Sequence, residues 1–199
     1  MDKAKKKYIF LLTISIIGIV VGIIFSNILS NADEKLVYDK LTNYFVNIKD
    51  GASINYLETF FNSIKNNVIT LLIVWILGLS IIGLLFNVFI LFFKNFILGF
   101  SIGSIINIYL YKGILLSIVY IFPHEIFNII ILLLLIYYAN NCSVNLFRLL
   151  FLKKEVKFNE IMKRYFKIFG LCLGGYLISS IVETFFSPFF IKIFTFLIN

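Results

Sequence analysis

Two long apolar runs of this chain are interrupted by polar residues, and one of the two also contains a proline. Pro123, the only histidine His124, Glu125 and Asn128 lie inside one run of membrane length, and Glu183 lies inside the last run. In hydrocarbon a polar group without a partner costs several kcal/mol, so such residues usually face a protein interior. Pro123 also removes a backbone hydrogen bond, which predicts a bend at this point. These five positions are the candidates for chemistry inside the membrane.

Three interpretations of these residues are open from the sequence. In the first, the polar groups hydrogen-bond helices together and fix the bundle. In the second, His124 or Glu183 binds a proton or a ligand in a gated or transport pathway. In the third, His124, Glu125 and Glu183 serve as metal ligands or base in an intramembrane hydrolase. Zinc proteases need a second histidine four residues after the first, but Asn128 stands there. We therefore expect no catalytic residue, no metal site and no cofactor, and predict that the protein is not an enzyme.

The composition is that of a membrane protein. The 199 residues are 61% hydrophobic and 14% charged, whereas soluble domains have about 45–50% apolar and about 25% charged residues. The apolar residues form long continuous runs, which excludes the alternating strands of an outer-membrane barrel. The net charge of +8 is interpreted as a topology signal and not as a sign of nucleic-acid binding. The predicted fold is therefore an all-α, polytopic membrane helical bundle in a single domain, 1–199.

Five membrane spans and two polar segments are predicted. The spans cover about 8–29, 68–86, 95–111, 114–139 and 166–187. The outer segment, 31–65, has apolar residues at helical spacing and is expected to form two short amphipathic helices, either on the membrane surface or packed over the mouth of the bundle. The inner loop, 140–165, is basic. Most basic residues, with Lys94 in the connection between the second and third spans, then lie inside, so the positive-inside rule places the N-terminus inside and the C-terminus outside.

Helical spacing predicts how the polar residues are arranged. Ser117, Tyr120, His124 and Asn128 recur at three- or four-residue intervals and should share one face of the fourth span. The fifth span carries a similar polar face around Glu183. Whether His124 and Glu183 touch is left open, because each span boundary is uncertain by about 2–4 residues.

Three pairs of glycines at four-residue spacing predict helix-packing surfaces. They are Gly18 with Gly22, Gly99 with Gly103, and Gly170 with Gly174. Such small residues let helix backbones approach closely in membranes. Internal packing is the preferred interpretation of each pair, over a dimer face.

Several further motifs follow one another in a characteristic order over nearly the whole chain. They are Trp75-Ile76-Leu77-Gly78, Lys94 with Gly99-Phe100-Ser101-Ile102-Gly103, Pro123-His124, the basic inner loop, and Glu183-Thr184-Phe185-Phe186-Ser187-Pro188. In this order and spacing the chain resembles the stage II sporulation protein M family of endospore-forming bacteria. The wider family often has Pro-His-Gly-x-x-Glu in the fourth span, where this chain has Glu125 for the glycine and Asn128 for the glutamate. We interpret the carboxylate as having moved to Glu125, on a neighbouring face.

The resemblance implies a scaffold that works during engulfment, when the mother-cell membrane migrates around the forespore. Family members are similar in recruiting and organising membrane-associated peptidoglycan-degrading enzymes, and no catalysis of their own is implied. The implied location is the cell membrane, on the mother-cell side of the sporulation septum. Membrane lipid and the wall enzymes are then the expected partners, nucleic acid is not, and a homo-oligomer is left open.

The outer segment is the expected place for partners that work in the wall space. Its candidate partner-binding residues are Tyr44, Phe45, Phe60 and Phe61. The alternative function is a transporter or permease-like subunit with a polar path through His124 and Glu183. A water-filled cavity through Ser117, His124, Asn128 and Glu183 would favour that alternative, and a dry, tightly packed bundle would favour the scaffold.

Overall fold

The computed structural model is all-helical in the part of the chain that it describes. It describes residues 3–49, 55–153 and 157–198, and within these ranges the side chains of 3, 44–45, 47–49, 119–120, 122–123, 186–188 and 190–198 lie outside the description. The helices are α1 (Lys3–Ser26), α2 (Asn31–Lys49), α3 (Tyr56–Gly78), α4 (Gly83–Leu116), α5 (Phe122–Leu150) and α6 (Phe158–Ile198), with a π-helical turn at Ser117–Ile121. Five of these described helices, all except α2, are long and apolar enough to cross a membrane. The predicted all-α bundle with five spans is therefore confirmed.

The outer segment differs from the prediction in its second half. α2 supplies the first amphipathic helix, and the Ser30 hydroxyl caps its start by accepting a hydrogen bond from the Asp33 amide (3.3 Å). The second helix is not separate, because the turns before Lys65 are the beginning of α3. Asn55 caps α3 by accepting a hydrogen bond from the Glu58 amide (3.2 Å). The second span therefore starts twelve residues earlier than the predicted position 68.

The connection between the second and third spans also lies earlier than predicted. α3 ends at Gly78 and α4 begins at Gly83, so the predicted connection at 87–94 is helical. Its first polar residue is partnered inside a helix interface: the Asn87 amide donates to the Asn140 side chain (3.3 Å). Lys94 consequently lies within a membrane-length helix and not in an inner connection.

A reversal at Leu110 divides α4 into two pieces. Leu110 has φ 51° and ψ −132°, a non-helical conformation inside the helix. The chain folds back here, since a Cβ atom placed on Gly113 would collide with the Ile105 carbonyl oxygen. The return path runs through the π-helical turn into α5, which extends to Leu150. The predicted inner loop is accordingly shorter, because helix covers its first half and α6 already begins at Phe158.

One end of the bundle collects basic residues, and we call it the basic end. The Lys7 ammonium donates to the Asn141 side chain (2.7 Å), and Arg164 donates to the Tyr138 hydroxyl (3.0 Å). The starts of α1 and α6 and the later part of α5 therefore meet at this end, opposite α2. That the basic end faces the cell interior stays a prediction.

The apolar core lies towards the basic end, among α3, α5 and α6. Its fully buried residues include Leu71, Val74, Leu135, Ile136 and Ala139. Two further contacts close this end: the Tyr165 hydroxyl donates to the Trp75 carbonyl (3.0 Å), and the Ser143 hydroxyl donates to the Gly78 carbonyl (3.1 Å).

Two of the three glycine pairs lie between α1 and α4. A Cβ atom on Gly18 would be 2.7 Å from the Phe92 carbonyl oxygen, and one on Gly22 would collide with the Phe96 carbonyl. Gly99 and Gly103 stand in the same way against Ile19 and Ser26. The third pair differs: nothing in the described part of the chain lies within 4 Å of a Cβ atom on Gly170 or Gly174. The expectation of internal packing is corrected there, because this face of α6 points away from the helices described.

Candidate functional site

A polar cleft of about 440 Å³ lies between α4 on one side and α5 and α6 on the other. Its polar wall includes Lys94, Asn95, His124, Glu125, Asn128 and Glu183. α3 contributes Asn67, and α2 contributes Leu41. Four of the five residues predicted as intramembrane polar candidates thus line one cavity; the side chain of the fifth, Pro123, lies outside the described residues.

The α5 wall of the cleft is a run of polar side chains at the start of that helix. His124 and Asn128 are 6% and 9% exposed. The Nε2 atom of His124 lies 3.7 Å from Oε1 of Glu125, and the Asn128 side chain hydrogen-bonds to that of Glu125. Glu125 follows His124 directly in the helix and lines the same cleft as Asn128. Residues three apart on a helix lie on the same side.

The predicted polar face of the fourth span is interrupted by the π-helical turn. Ser117 is buried but does not line the cleft with His124 and Asn128. The wider π turn lies between Ser117 and His124 and shifts the helical register. Pro123 follows directly and supplies no backbone N–H to the preceding turn. The Tyr120 side chain lies outside the described residues.

The α6 wall is held by hydrogen bonds to α3. The Ser63 hydroxyl donates to the Glu183 carboxylate and lies 3.0 Å from the Ser180 hydroxyl. A serine hydroxyl has one proton, so Ser180 is the donor in the second contact. The Asn67 amide also donates to Ser180 (3.5 Å). Ser63 and Asn67 were not among the predicted site residues, although their four-residue spacing predicts that they share one face of a helix.

The two predicted polar clusters meet across this cleft. The Ser179 hydroxyl on α6 donates to the backbone carbonyl of His124 on α5 (3.3 Å). Because His124 and Glu183 line the same cavity, the question of their proximity is answered: they share one site.

Lys94 also lines this site, although the sequence predicted it in the connection between the second and third spans. It lies eleven residues into α4, which is about 16 Å along the helix from Gly83. In the described part of the chain no ion pair within 4.0 Å joins Lys94 to Glu125 or Glu183. The cleft therefore holds a cation and two carboxylates that are separated by open space.

Two buried amide oxygens complete the polar lining. Asn95 is 1% exposed, and its Nδ2 atom donates to the Leu91 carbonyl (2.8 Å). The Oδ1 atoms of Asn95 and Asn128 are buried and have no hydrogen-bond partner among the described residues. More than about nine in ten buried polar atoms have a hydrogen-bond partner. Both oxygens are therefore exceptions, and each could accept a hydrogen bond from a ligand.

A metal centre is not assembled by the described residues. They bring together no group of three His, Cys, Asp or Glu side chains that could hold a metal ion. The hydrolase interpretation of His124, Glu125 and Glu183 therefore gains no support from their arrangement.

The candidate partner-binding residues lie at the other end of the bundle from the basic end. Phe61 is 64% exposed, and its ring lies edge-on to that of the half-buried Phe60, with 6.0 Å between centroids. Tyr44 and Phe45 lie on α2, but their side chains are outside the described residues. Exposed apolar side chains continue along α2 at Leu36.

Five apolar helices, four of which line a polar cleft, define a polytopic integral membrane protein. A family model described as stage II sporulation protein M matches residues 10–188. The chain therefore belongs to the stage II sporulation protein M family and is a sporulation-related membrane protein. No curated protein sequence and no solved structure matched the chain.

Proposed function

We propose that the protein is a membrane scaffold for septal peptidoglycan remodelling and membrane migration during engulfment. In this role it recruits and organises peptidoglycan-degrading enzymes at the mother-cell membrane of the sporulation septum and does no chemistry itself. The observation that carries the proposal is the family match over residues 10–188, which covers all five apolar helices at least in part. The tight glycine packing of α1 on α4 also suits a protein whose task is to hold a fixed shape.

The surface proposed for partner binding is the α2 end, with Phe60 and Phe61 at its centre. An aromatic side chain that is 64% exposed outside the apolar core of a helix bundle has much area to bury against a partner. α2 packs against α4 and α6 at this end of the bundle, and its own Leu36 and Tyr38 are also exposed. Tyr44 and Phe45 are proposed as partner-binding residues from the sequence pattern alone, because their side chains lie outside the described residues.

The first experiment is co-purification from sporulating cells. A tagged full-length chain would be solubilised in mild detergent, and the proteins that accompany it identified. Wall-degrading enzymes are the expected partners. Recovery of an ATPase without such enzymes would contradict the scaffold role.

A variant with polar residues at Tyr44, Phe45, Phe60 and Phe61 should insert normally but lose partner capture. The matched control is Phe151→Ser, because Phe151 is 66% exposed yet lies between α5 and α6 at the basic end. Capture that survives the four substitutions would place the binding surface on the membrane helices instead.

A second candidate function is transport, and the shared cleft is the observation that favours it. His124, Asn128 and Glu183 line one polar cavity, as a polar path requires. The fully buried apolar core at the basic end, with Leu71 and Ile136, argues instead for a cleft that is closed on one side. Proteoliposomes under an imposed pH gradient would separate the two: transport predicts faster dissipation than in empty vesicles, slowed by Glu183→Gln.

A further inference from the structure

Charges of opposite sign face each other across the cleft without pairing. Lys94 stands on α4, and Glu125 and Glu183 stand on α5 and α6. The Ser63 hydroxyl and the His124 ring contact the carboxylates, but the Lys94 ammonium is more than 4.0 Å from both in the described structure. Unpaired charges are costly within a membrane. A ligand that carries both signs would meet both walls at once.

The carboxylate wall offers acceptors of hydrogen bonds in excess of donors. Besides the two carboxylates it has the Oδ1 atom of Asn128, which lacks a partner in the described structure although this residue is only 9% exposed. Such a set calls for a ligand with several N–H donors. A primary ammonium has three, whereas a quaternary ammonium has none.

The size and the opening of the cleft set the kind of ligand. A volume of about 440 Å³ is within the range of about 300–1,000 Å³ that small-molecule sites have. Lys94 and Ile97 are exposed along the middle of α4, so the cleft opens to the side of the bundle and towards lipid. Leu98, Ile105 and Leu132 give it apolar surface beside the charges.

We propose that the cleft binds a zwitterionic group with a primary ammonium beside a phosphate, such as the headgroup of an ethanolamine phospholipid. The ammonium contacts Glu125, Glu183 and the free Oδ1 atom of Asn128, and the phosphate contacts Lys94. The inference does not rest on the scaffold role, because none of these residues belongs to the surface around Phe61.

The native sequence alone gives the primary test. The full chain, purified in detergent and delipidated, would be titrated with phosphatidylethanolamine, phosphatidylcholine and phosphatidylglycerol, and binding read by native mass spectrometry. Phosphatidylethanolamine should bind at least about tenfold more tightly than the others, since one lacks N–H donors and the other lacks a cation. Equal binding of the three lipids, or no binding, would overturn the proposal.

Competition by soluble glycerophosphoethanolamine identifies the source of the ligand. Displacement of the lipid shows that the headgroup chemistry suffices. Selective lipid binding without displacement shows that the acyl chains are also needed. Both results keep the zwitterion in the cleft.

Variants then assign the contacts. Glu125→Gln and Glu183→Gln should each weaken phosphatidylethanolamine binding about tenfold, since hydrogen bonds to a charged acceptor are lost, and Glu160→Gln on the exposed start of α6 should not. Lys94→Met should weaken it similarly, whereas Lys94→Arg should retain it. Melting temperatures establish that each variant is folded. Folded Gln variants that bind the lipid as tightly as the native chain would overturn the assignment.

Discussion

The two sides of α4 meet their neighbours in opposite ways. Towards α1, Gly99 and Gly103 bring backbones so close that a Cβ atom would collide with Ile19 or with the Ser26 hydroxyl. On the side of the cleft, Lys94 and Ser101 border open space. One helix thus forms both a close glycine interface and a wall of the polar cleft. Along α4, the size of the residues, more than their polarity, therefore determines where a neighbouring helix makes close contact.

The physical basis is the weak hydrophobic drive between helices in lipid. Packing there depends on dispersion contacts and hydrogen bonds, and small residues allow both by close approach. The Asn107 amide, for example, donates to the Ser26 carbonyl of α1 (3.2 Å). On the other side of α4 the long side chain of Lys94 has no such partner in the described structure. The cleft therefore stays open beside it.

Replacing Gly22 by leucine should disrupt the close packing of α1 on α4 and have the largest effect on stability. Even a Cβ atom would collide with the Phe96 carbonyl, so α1 and α4 must move apart. Overpacking costs about 1–3 kcal/mol and sometimes more, and we expect about 3 kcal/mol because backbone atoms are hit. The midpoint of unfolding in mixed detergent micelles measures this loss.

The matched control is Gly174→Leu on α6. Nothing in the described structure lies within 4 Å of the added Cβ, and leucine is a better helix former than glycine by up to about 1 kcal/mol. Stability should stay the same or rise. Equal losses at positions 22 and 174 would show that Gly174 is packed in the protein as purified, for instance against a second copy.

The sequence predicts the number of spans better than their ends. Long apolar runs require helices in lipid, and five were expected and found. The boundaries failed where polar residues were taken as loops: Asn87 and Lys94 are helical, because Asn87 is bonded to Asn140 across an interface. Such pairing depends on tertiary contacts between distant parts of the chain and leaves no local signal.

The candidate site was predicted in outline and missed in its most important charge. His124, Asn128 and Glu183 could be found because polar residues in apolar runs are rare. Ser63 and Lys94 were placed outside the membrane, so their part in the cleft was lost with the span boundaries. Ser117 was assigned to the face of His124 because a regular helix was assumed, whereas a π-helical turn lies between them.

Glu183 tests the polar side of the comparison and should have an intermediate effect. In Glu183→Leu the Ser63 hydroxyl loses its carboxylate acceptor, and a hydrogen bond to a charged group contributes about 1.5–3 kcal/mol. Glu183→Gln keeps an acceptor oxygen and should cost less than about 1 kcal/mol. Unfolding midpoints in detergent compare the two, with Glu160→Leu as an exposed control. A Gln variant that inserts stably but loses all function would instead reveal a role for the charge.

Substitution of Leu110, the residue at which the first piece of α4 ends, should have the smallest effect on stability. Its φ of 51° favours glycine, and a strained conformation of this kind costs about 1–3 kcal/mol. Glycine relieves the strain but loses about 0.5–1 kcal/mol of backbone entropy, so Leu110→Gly should stabilise the protein by about 0.5–1 kcal/mol. The control Leu85→Gly, at a position equally exposed within regular helix, should destabilise by about 1 kcal/mol. Thermal melting of both variants in one detergent measures the two opposite effects on stability. A loss of stability in both variants would show that the backbone at Leu110 is not strained.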